Sequence, residues 1–161
     1  MTTGANENSS TTVRGTTAEV SREMAATPEQ VWAVLADGWL YASWVVGASR
    51  IREVEGAWPA VGSRIHHSVG SWPLLLDDDS EVVESTPARR LVLQARGRPL
   101  GEARITLELE PAPGGSVVRM LEDATSGPGT LMPKPLRQLL LVPRNRESLH
   151  RLAYLAERGA R

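Results

Sequence analysis

The stretch from Ala103 to Asp123, ARITLELEPAPGGSVVRMLED, gives the clearest indication of the fold class of this chain. Alternate residues from Ala103 to Leu109 are apolar and those between them are polar, which is the period of a strand with one buried face. The PAPGG segment that follows predicts a tight reversal, and residues 117–123 return as a second strand. The stretch therefore predicts a hairpin in an antiparallel sheet that has one apolar face.

Strand patterns continue on the N-terminal side of this hairpin, separated by turn signals at the short spacing that hairpins have. The acidic run from Asp77 to Asp79 begins one of these strands and is expected to lie in solvent. The predicted strands cover residues 18–24, 49–55, 63–69, 76–84 and 91–96.

Two short helices are predicted between the first and second strands. Thr27 is a favourable N-cap, Pro28 suits the first helical position, and Gln30 completes a capping box. Gly38 interrupts this pattern, and a second short helix is predicted before Gly47.

The C-terminal segment, residues 136–158, predicts one long helix that Pro143 kinks or restarts. Because an antiparallel sheet with one apolar face needs a cover, this helix is expected to lie across the sheet. Arg144 is expected to face solvent, and Asn145 to tie the helix to a loop. The expected apolar stripe consists of Leu136, Leu139, Leu140, Leu149, Leu152, Ala153 and Ala156.

Composition limits the class of protein. The chain has 161 residues, of which 41% are hydrophobic, and this suits one globular domain. Its 18 Lys and Arg residues nearly balance 19 Asp and Glu residues, for a net charge of −1. This balance argues against a broad basic surface for nucleic acid or anionic membranes. The absence of cysteine excludes disulfides, thiolate metal sites and cysteine nucleophiles.

The polar residues 1–15 are expected to form a disordered tail, and residues 16–158 a single domain. The tail has no apolar run typical of a secretory signal, and no segment approaches the about 20 apolar residues that cross a bilayer. We therefore expect a cytoplasmic protein, monomeric or homodimeric, that neither binds nucleic acid nor inserts into membranes.

Four segments carry a resemblance to a known family, and they occur in the order TPEQVW (27–32), VGSRI (61–65), PARRLVL (87–93) and RNRESL (144–149). With the element order, they resemble the helix-grip superfamily of START lipid-transfer domains, the birch-pollen allergen and small polyketide cyclases. The chain is most similar to the bacterial polyketide cyclase/dehydrase, or SRPBCC, proteins.

This resemblance spans roughly residues 16–158 and implies an α+β helix-grip fold. In such a fold, a curved seven-stranded antiparallel sheet surrounds the long C-terminal helix, with two short helices after the first strand. The resemblance also implies an internal cavity for a small hydrophobic molecule, but it implies no particular reaction.

His67 is the first of two candidate catalytic residues. It shares a strand face with Ile65 and Val69, so its imidazole is expected to point inward. A neutral imidazole there can bind a ligand carbonyl or transfer a proton. The alternative is a structural histidine that bonds a neighbouring protein group.

Glu122 is the second candidate. It points inward if the face of Val118 and Met120 is the buried one, and outward if the face of Leu121 is buried. An inward carboxylate would pair with His67 or an arginine, or would protonate a ligand.

Residues that contact a ligand are expected among aromatic and flexible apolar side chains, which provide large or adaptable surfaces. All five tryptophans lie in the first half of the chain, which has no phenylalanine. For each candidate, the alternative is an ordinary core position. The candidates are Tyr41, Trp44, Trp72, Leu107 and Met120.

No motif indicates a metal or another cofactor. Adjacent His66 and His67 point to opposite faces of a strand and cannot chelate one ion. No Gly-x-Ser-x-Gly or phosphate-loop motif is present.

Three function classes remain. They are a carrier or binding protein for a small hydrophobic molecule, a cyclase, aromatase or dehydratase with an inner acid–base pair, and an accessory protein that binds partners through its surface. One isolated polar group in the cavity would favour binding, and two or more converging groups would favour catalysis.

Overall fold

The computed structural model describes residues 18–70, 73–99 and 101–159, so Trp72 and the predicted tail at 1–15 lie outside the described residues. The helices are α1 (Pro28–Leu35), α2 (Tyr41–Trp44) and α3 (Lys134–Gly159), with short 3₁₀ turns at Gly38–Leu40 and Pro128–Leu131. The strands are β1 (Ala18–Met24), β2 (Ala48–Glu55), β3 (Arg64–Val69), β4 (Leu76–Thr86), β5 (Arg90–Gly97), β6 (Gly101–Ala112) and β7 (Gly115–Ser126).

Within the described residues, the strands form one seven-stranded sheet in the order β1-β7-β6-β5-β4-β3-β2, in which every pair of neighbours is antiparallel. β1 and β2 are consecutive in the chain but lie at opposite edges, with α1 and α2 between them in sequence. The chain therefore adopts the helix-grip architecture: a curved antiparallel sheet, two short helices after the first strand, and one long C-terminal helix.

The register of the β6–β7 hairpin determines which face of β7 points inward. Ile105 lies opposite Glu122, and Leu107 lies opposite Met120. All four of these residues are at most 7% exposed, whereas Leu121 is only half-buried. The face that carries Glu122 is therefore the inner face of the sheet.

The N-terminus of α1 has the capping interactions that its sequence predicts. The Gln30 backbone N–H donates to the Thr27 hydroxyl over 3.3 Å, and the Thr27 N–H donates to the Gln30 side-chain carbonyl over 2.8 Å. This reciprocal capping box satisfies donors that the first helical turn leaves unpaired. The helix ends before Gly38, where an added Cβ would lie 2.9 Å from a Val54 methyl group, so the chain needs glycine for this close approach.

Helix α3 packs against β1, β7, α1 and α2, and it continues through Pro143 rather than restarting there. The C-terminal half of the predicted stripe is confirmed, because Leu149, Leu152, Ala153 and Ala156 are at most 3% exposed. The N-terminal half is wrong, since Leu136, Leu139 and Leu140 are 45%, 69% and 55% exposed.

The helical period explains this difference along α3. Counting back from Leu152 in steps of three or four residues leads to Ser148, Asn145, Leu141 and Arg137, rather than to the three exposed leucines. Ser148, Asn145 and Arg137 are buried at 1%, 0% and 6% exposure. The inward face of the first half of α3 is therefore largely polar.

Candidate functional site

A cavity of about 380 Å³ lies between the inner face of the sheet and the first half of α3. This volume falls within the range of roughly 300–1,000 Å³ that small-molecule sites occupy. Its apolar lining includes Val69, Ala95, Ala103, Ile105, Met120 and Leu141.

Small residues explain the position of this cavity. Ala95 and Gly97 of β5, Ala103 of β6 and Ala124 of β7 line it, and they leave space that larger side chains would fill. Farther along the same strands, residues such as Leu107 pack into the core at 0% exposure. The cavity therefore lies towards the end of the sheet where β5 turns into β6.

The structure brings four of the candidate residues to the cavity, namely Tyr41, His67, Met120 and Glu122. The lining includes neither Trp44 nor Leu107, which belong to the packed core. Trp44 is 2% exposed and lies edge-on to Tyr41 with 5.5 Å between the ring centroids, so Tyr41 has the cavity position and Trp44 supports it from the core.

Glu122 is 5% exposed, and its carboxylate bonds to two side chains of α3. Arg144 forms an ion pair with its Oε2 atom through Nη2, and Asn145 donates to the same oxygen from Nδ2 over 2.9 Å. The guanidinium of Arg144 also donates to the Asn145 side-chain carbonyl over 3.3 Å. The expectation that Asn145 ties the helix to a loop is wrong, because its amide bonds Glu122 of β7. The expectation that Arg144 faces solvent holds only in part, because its side chain is 37% exposed but its guanidinium reaches the cavity and Glu122.

His67 belongs to a second polar group, which is formed by side chains of β3, β4 and α2. The Tyr41 and Ser80 hydroxyls lie 3.0 Å apart, and the Ser80 hydroxyl lies 3.2 Å from Nε2 of His67. Burial lowers the pKa of His67 to about 4 and raises the pKa of Tyr41 to about 12, so both groups are neutral at pH 7. Nδ1 of His67 is buried and makes no hydrogen bond of normal geometry with a described residue.

Asp78 is a cavity residue that the sequence did not identify. It is 3% exposed and lies opposite His67 in the β3–β4 register, so the prediction of a solvated acidic run is wrong at this position. Neither carboxylate oxygen makes a hydrogen bond of normal geometry with a described residue. Burial raises the pKa of Asp78, and the backbone N–H of Arg98 and the charge of Arg52 oppose this rise.

His67 and Glu122 line one cavity but do not form a pair. Among the described residues, the side chain of His67 bonds Ser80, and Glu122 bonds Arg144 and Asn145. Of the partners that the sequence allowed for Glu122, the arginine is the one present. The acidic residue directly opposite His67 in the β3–β4 register is Asp78.

The one cluster of metal-ligating side chains in the described part of the chain lies outside the cavity. Glu53, Glu55 and His66 bring ligand atoms within 4.8 Å of one another. Two of these residues are exposed, and Nε2 of His66 already lies 3.1 Å from the Glu55 carboxylate. The local sequence does not indicate this group, because the β2–β3 register is what places Glu53 beside His66.

No helix among the described residues is both long and apolar enough to cross a membrane.

Comparisons with other proteins agree with this architecture. A family model described as "Polyketide cyclase / dehydrase and lipid transport" matches residues 15–157. The crystal structure of protein CV1439 from Chromobacterium violaceum is 19% identical, and the match covers 88% of this chain and 97% of that one with a TM-score of 0.68. No curated protein was found to match the sequence.

Two further structures with the same fold have informative names. The di-domain ARO/CYC StfQ from the steffimycin biosynthetic pathway is 14% identical, with a TM-score of 0.73 over 90% of this chain and 51% of that one. Ara h 8.0201 is 16% identical, with a TM-score of 0.63 over 88% of this chain and 97% of that one. At these identities the likeness establishes the fold alone.

Proposed function

Since the chain belongs to the family described as polyketide cyclases/dehydrases and lipid-transport proteins, we propose that it binds a small, mostly apolar molecule in the cavity beneath α3. The observation that carries this proposal is the cavity itself, about 380 Å³ in volume and lined by apolar side chains with a few polar groups. Such a combination is typical of small-molecule sites, in which apolar surface provides affinity and polar groups fix orientation.

Partial exposure of the lining supports entry of a ligand from solvent. Leu140 lines the cavity and is 55% exposed, and Met132 and Gly129 line it from the segment just before α3. Gly97 at the end of β5 and Gly101 at the start of β6 also line the cavity. A ligand can therefore enter between the segment before α3 and this end of the β5–β6 pair.

Filling the cavity tests the proposal. Ala103→Phe adds a ring on the inner face of β6 and is expected to weaken binding of N-phenyl-1-naphthylamine, a neutral fluorescent probe, by about tenfold or more. Fluorescence titration measures this affinity. The matched control is Thr106→Phe, which adds the same kind of bulk on the outer face of the same strand and is expected to leave binding unchanged.

Equal probe affinity in the wild type and in both variants would contradict binding in this cavity, as would a wild-type protein that does not bind the probe. Thermal unfolding of each variant establishes that the comparison is made between folded proteins. Native mass spectrometry of protein purified from its own host then identifies the natural ligand.

Catalysis of the cyclase, aromatase or dehydratase type is a second candidate, supported by the convergence of several polar groups on the cavity. Neutral His67 is available as a proton acceptor or donor, and buried Asp78 lies opposite it on the neighbouring strand. Glu122 is less suitable than the sequence suggested, because Arg144 and Asn145 already bond its carboxylate.

Removal of a proton next to a ketone is a step that such reactions share, and it gives a test without the natural substrate. The wild-type protein is expected to accelerate exchange of the methyl protons of 2-acetonaphthone in D₂O, followed by NMR. His67→Gln is expected to lose most of this acceleration, since general base catalysis contributes typically 10²–10⁴-fold, roughly, to such steps. Equal exchange rates with wild type, His67→Gln and no protein would contradict this candidate while leaving ligand binding intact.

A further inference from the structure

Arg137 is a buried cation that lines the cavity. It lies in the first turns of α3 and is 6% exposed. Its Nη2 atom donates to the backbone carbonyls of Thr130 over 3.3 Å and Met132 over 3.0 Å. Nε is buried without a partner among the described residues, and Nη1 has no hydrogen bond to them.

No carboxylate in the described part of the chain neutralises this guanidinium. The other charged groups at the cavity are engaged elsewhere: Arg144 pairs with Glu122, and Arg96 pairs with Asp79 and Glu102. Asp78 is the remaining acid of the lining, and the arginines that act on its carboxylate are Arg98 and Arg52. Arg137 therefore differs from the other arginines of the cavity in having only neutral partners.

A buried guanidinium without an anion is costly, because arginine cannot lose its proton to escape the charge. The bonds to two carbonyl groups hold the guanidinium in place but leave its charge uncompensated. Its free N–H groups suit a carboxylate or a similar oxyanion, which arginine binds through charge-assisted hydrogen bonds.

We propose that the ligand of this cavity is an amphipathic acid, whose apolar body occupies the interior and whose anionic group binds Arg137. This inference rests on the proposed binding function and specifies its ligand class. Arg137 and Arg144 are seven residues apart on α3, about 10 Å along the helix axis. The anionic group would therefore bind about two helical turns away from the arginine that pairs with Glu122.

A matched pair of probes tests the requirement for an anion. 1-Anilinonaphthalene-8-sulfonate has the ring system of N-phenyl-1-naphthylamine with an added sulfonate. The wild-type protein is expected to bind the anionic probe more tightly than the neutral one. Arg137→Gln is expected to lower the affinity for the anionic probe by about tenfold and the affinity for the neutral probe by less than about twofold.

Two further variants separate a specific contact from general effects. Arg146→Gln removes the same charge from an exposed position on the same helix and is expected to keep the preference for the anionic probe. Arg137→Lys keeps the charge but loses the planar fork, and is expected to retain part of the preference. Near-UV circular dichroism verifies native packing in each variant. If Arg137→Gln does not fold, the preference for the anionic probe is compared between the wild type and Arg137→Lys instead.

The remaining outcomes overturn the inference in distinguishable ways. If the neutral probe binds but the anionic probe is not preferred, or if Arg137→Gln weakens both probes equally, the acidic ligand is wrong and the binding function stands. The acidic ligand is also wrong if Arg146→Gln abolishes the preference as fully as Arg137→Gln does. If neither probe binds the wild-type protein, the proposed function fails together with the inference.

Discussion

Leu152→Ala is expected to lower the free energy of unfolding by about 3 kcal/mol, within the range of roughly 2–5 kcal/mol for buried leucines. Leu152 is 0% exposed, on the face of α3 that packs into the core. Truncation removes buried apolar contacts and leaves a void, because close-packed neighbours relax only partly. Urea denaturation followed by circular dichroism measures the change.

Leu139→Ala provides the matched control for this prediction. Leu139 lies on the same helix but is 69% exposed, so its truncation is expected to change stability by no more than about 0.5 kcal/mol. Similar losses in the two variants would contradict the assignment of inner and outer faces along α3. This comparison uses one residue type and one substitution, so helix propensity cancels.

Acidification is expected to destabilise the protein through His67 by up to about 3 kcal/mol, because roughly 1.4 kcal/mol is lost for each pH unit between the unfolded and folded pKa values. Burial lowers the pKa of His67 from 6.5 to about 4 in the folded state. Between these two pH values the unfolded chain binds the proton and the folded protein does not. Stability is therefore full above pH 6.5 and is lost as the pH falls towards 4.

His67→Gln isolates this contribution. Urea denaturation of both proteins at pH 7 and pH 4.5 is expected to give a smaller pH-dependent loss in the variant. Protonation of Asp78 stabilises the folded state on acidification, because the raised pKa of Asp78 makes the folded protein bind the proton before the unfolded chain does. This effect is present in both proteins and therefore cancels in the comparison. The charges of Asp79, Arg52 and His66 that act on His67 are also common to both. An identical pH dependence in the two proteins would show that His67 is not held neutral by burial.

Local patterns made much of the fold predictable. The Thr27 and Gln30 capping box depends on residues three apart, and the alternation along β6 depends on a period of two, so neither requires distant contacts. The seven-stranded sheet and the long final helix follow from such patterns taken in order. The orientation of β7 did not follow, because Val117 and Leu121 on one face are as apolar as Val118 and Met120 on the other.

Charged residues at the cavity were predicted least well. Asp78 lies within an acidic run, and Arg137 and Arg144 lie on a helix with many exposed charges, so each has the local sequence of a solvated residue. The burial of Asp78 follows from the register between β3 and β4. The positions of Arg137 and Arg144 at the cavity follow from the rotation of α3 about its own axis. A helical spacing that extends back from Leu152 would have placed Arg137 inward, but the exposed leucines at 136, 139 and 140 gave a stronger apolar signal.

Periodicity and chemistry between near neighbours were enough to predict the elements and the inner face of β6. The helix-grip class was implied by the resemblance of four short segments to a known family. The folded structure was needed to show where the cavity lies, which side chains pair across it and which arginine is left without an anion. Those features depend on how α3 docks against the sheet. Two sets of contacts hold α3 in place. Leu149, Leu152 and Ala156 are buried towards its C-terminal end, and Arg144 and Asn145 bond Glu122 of β7 nearer its N-terminal end.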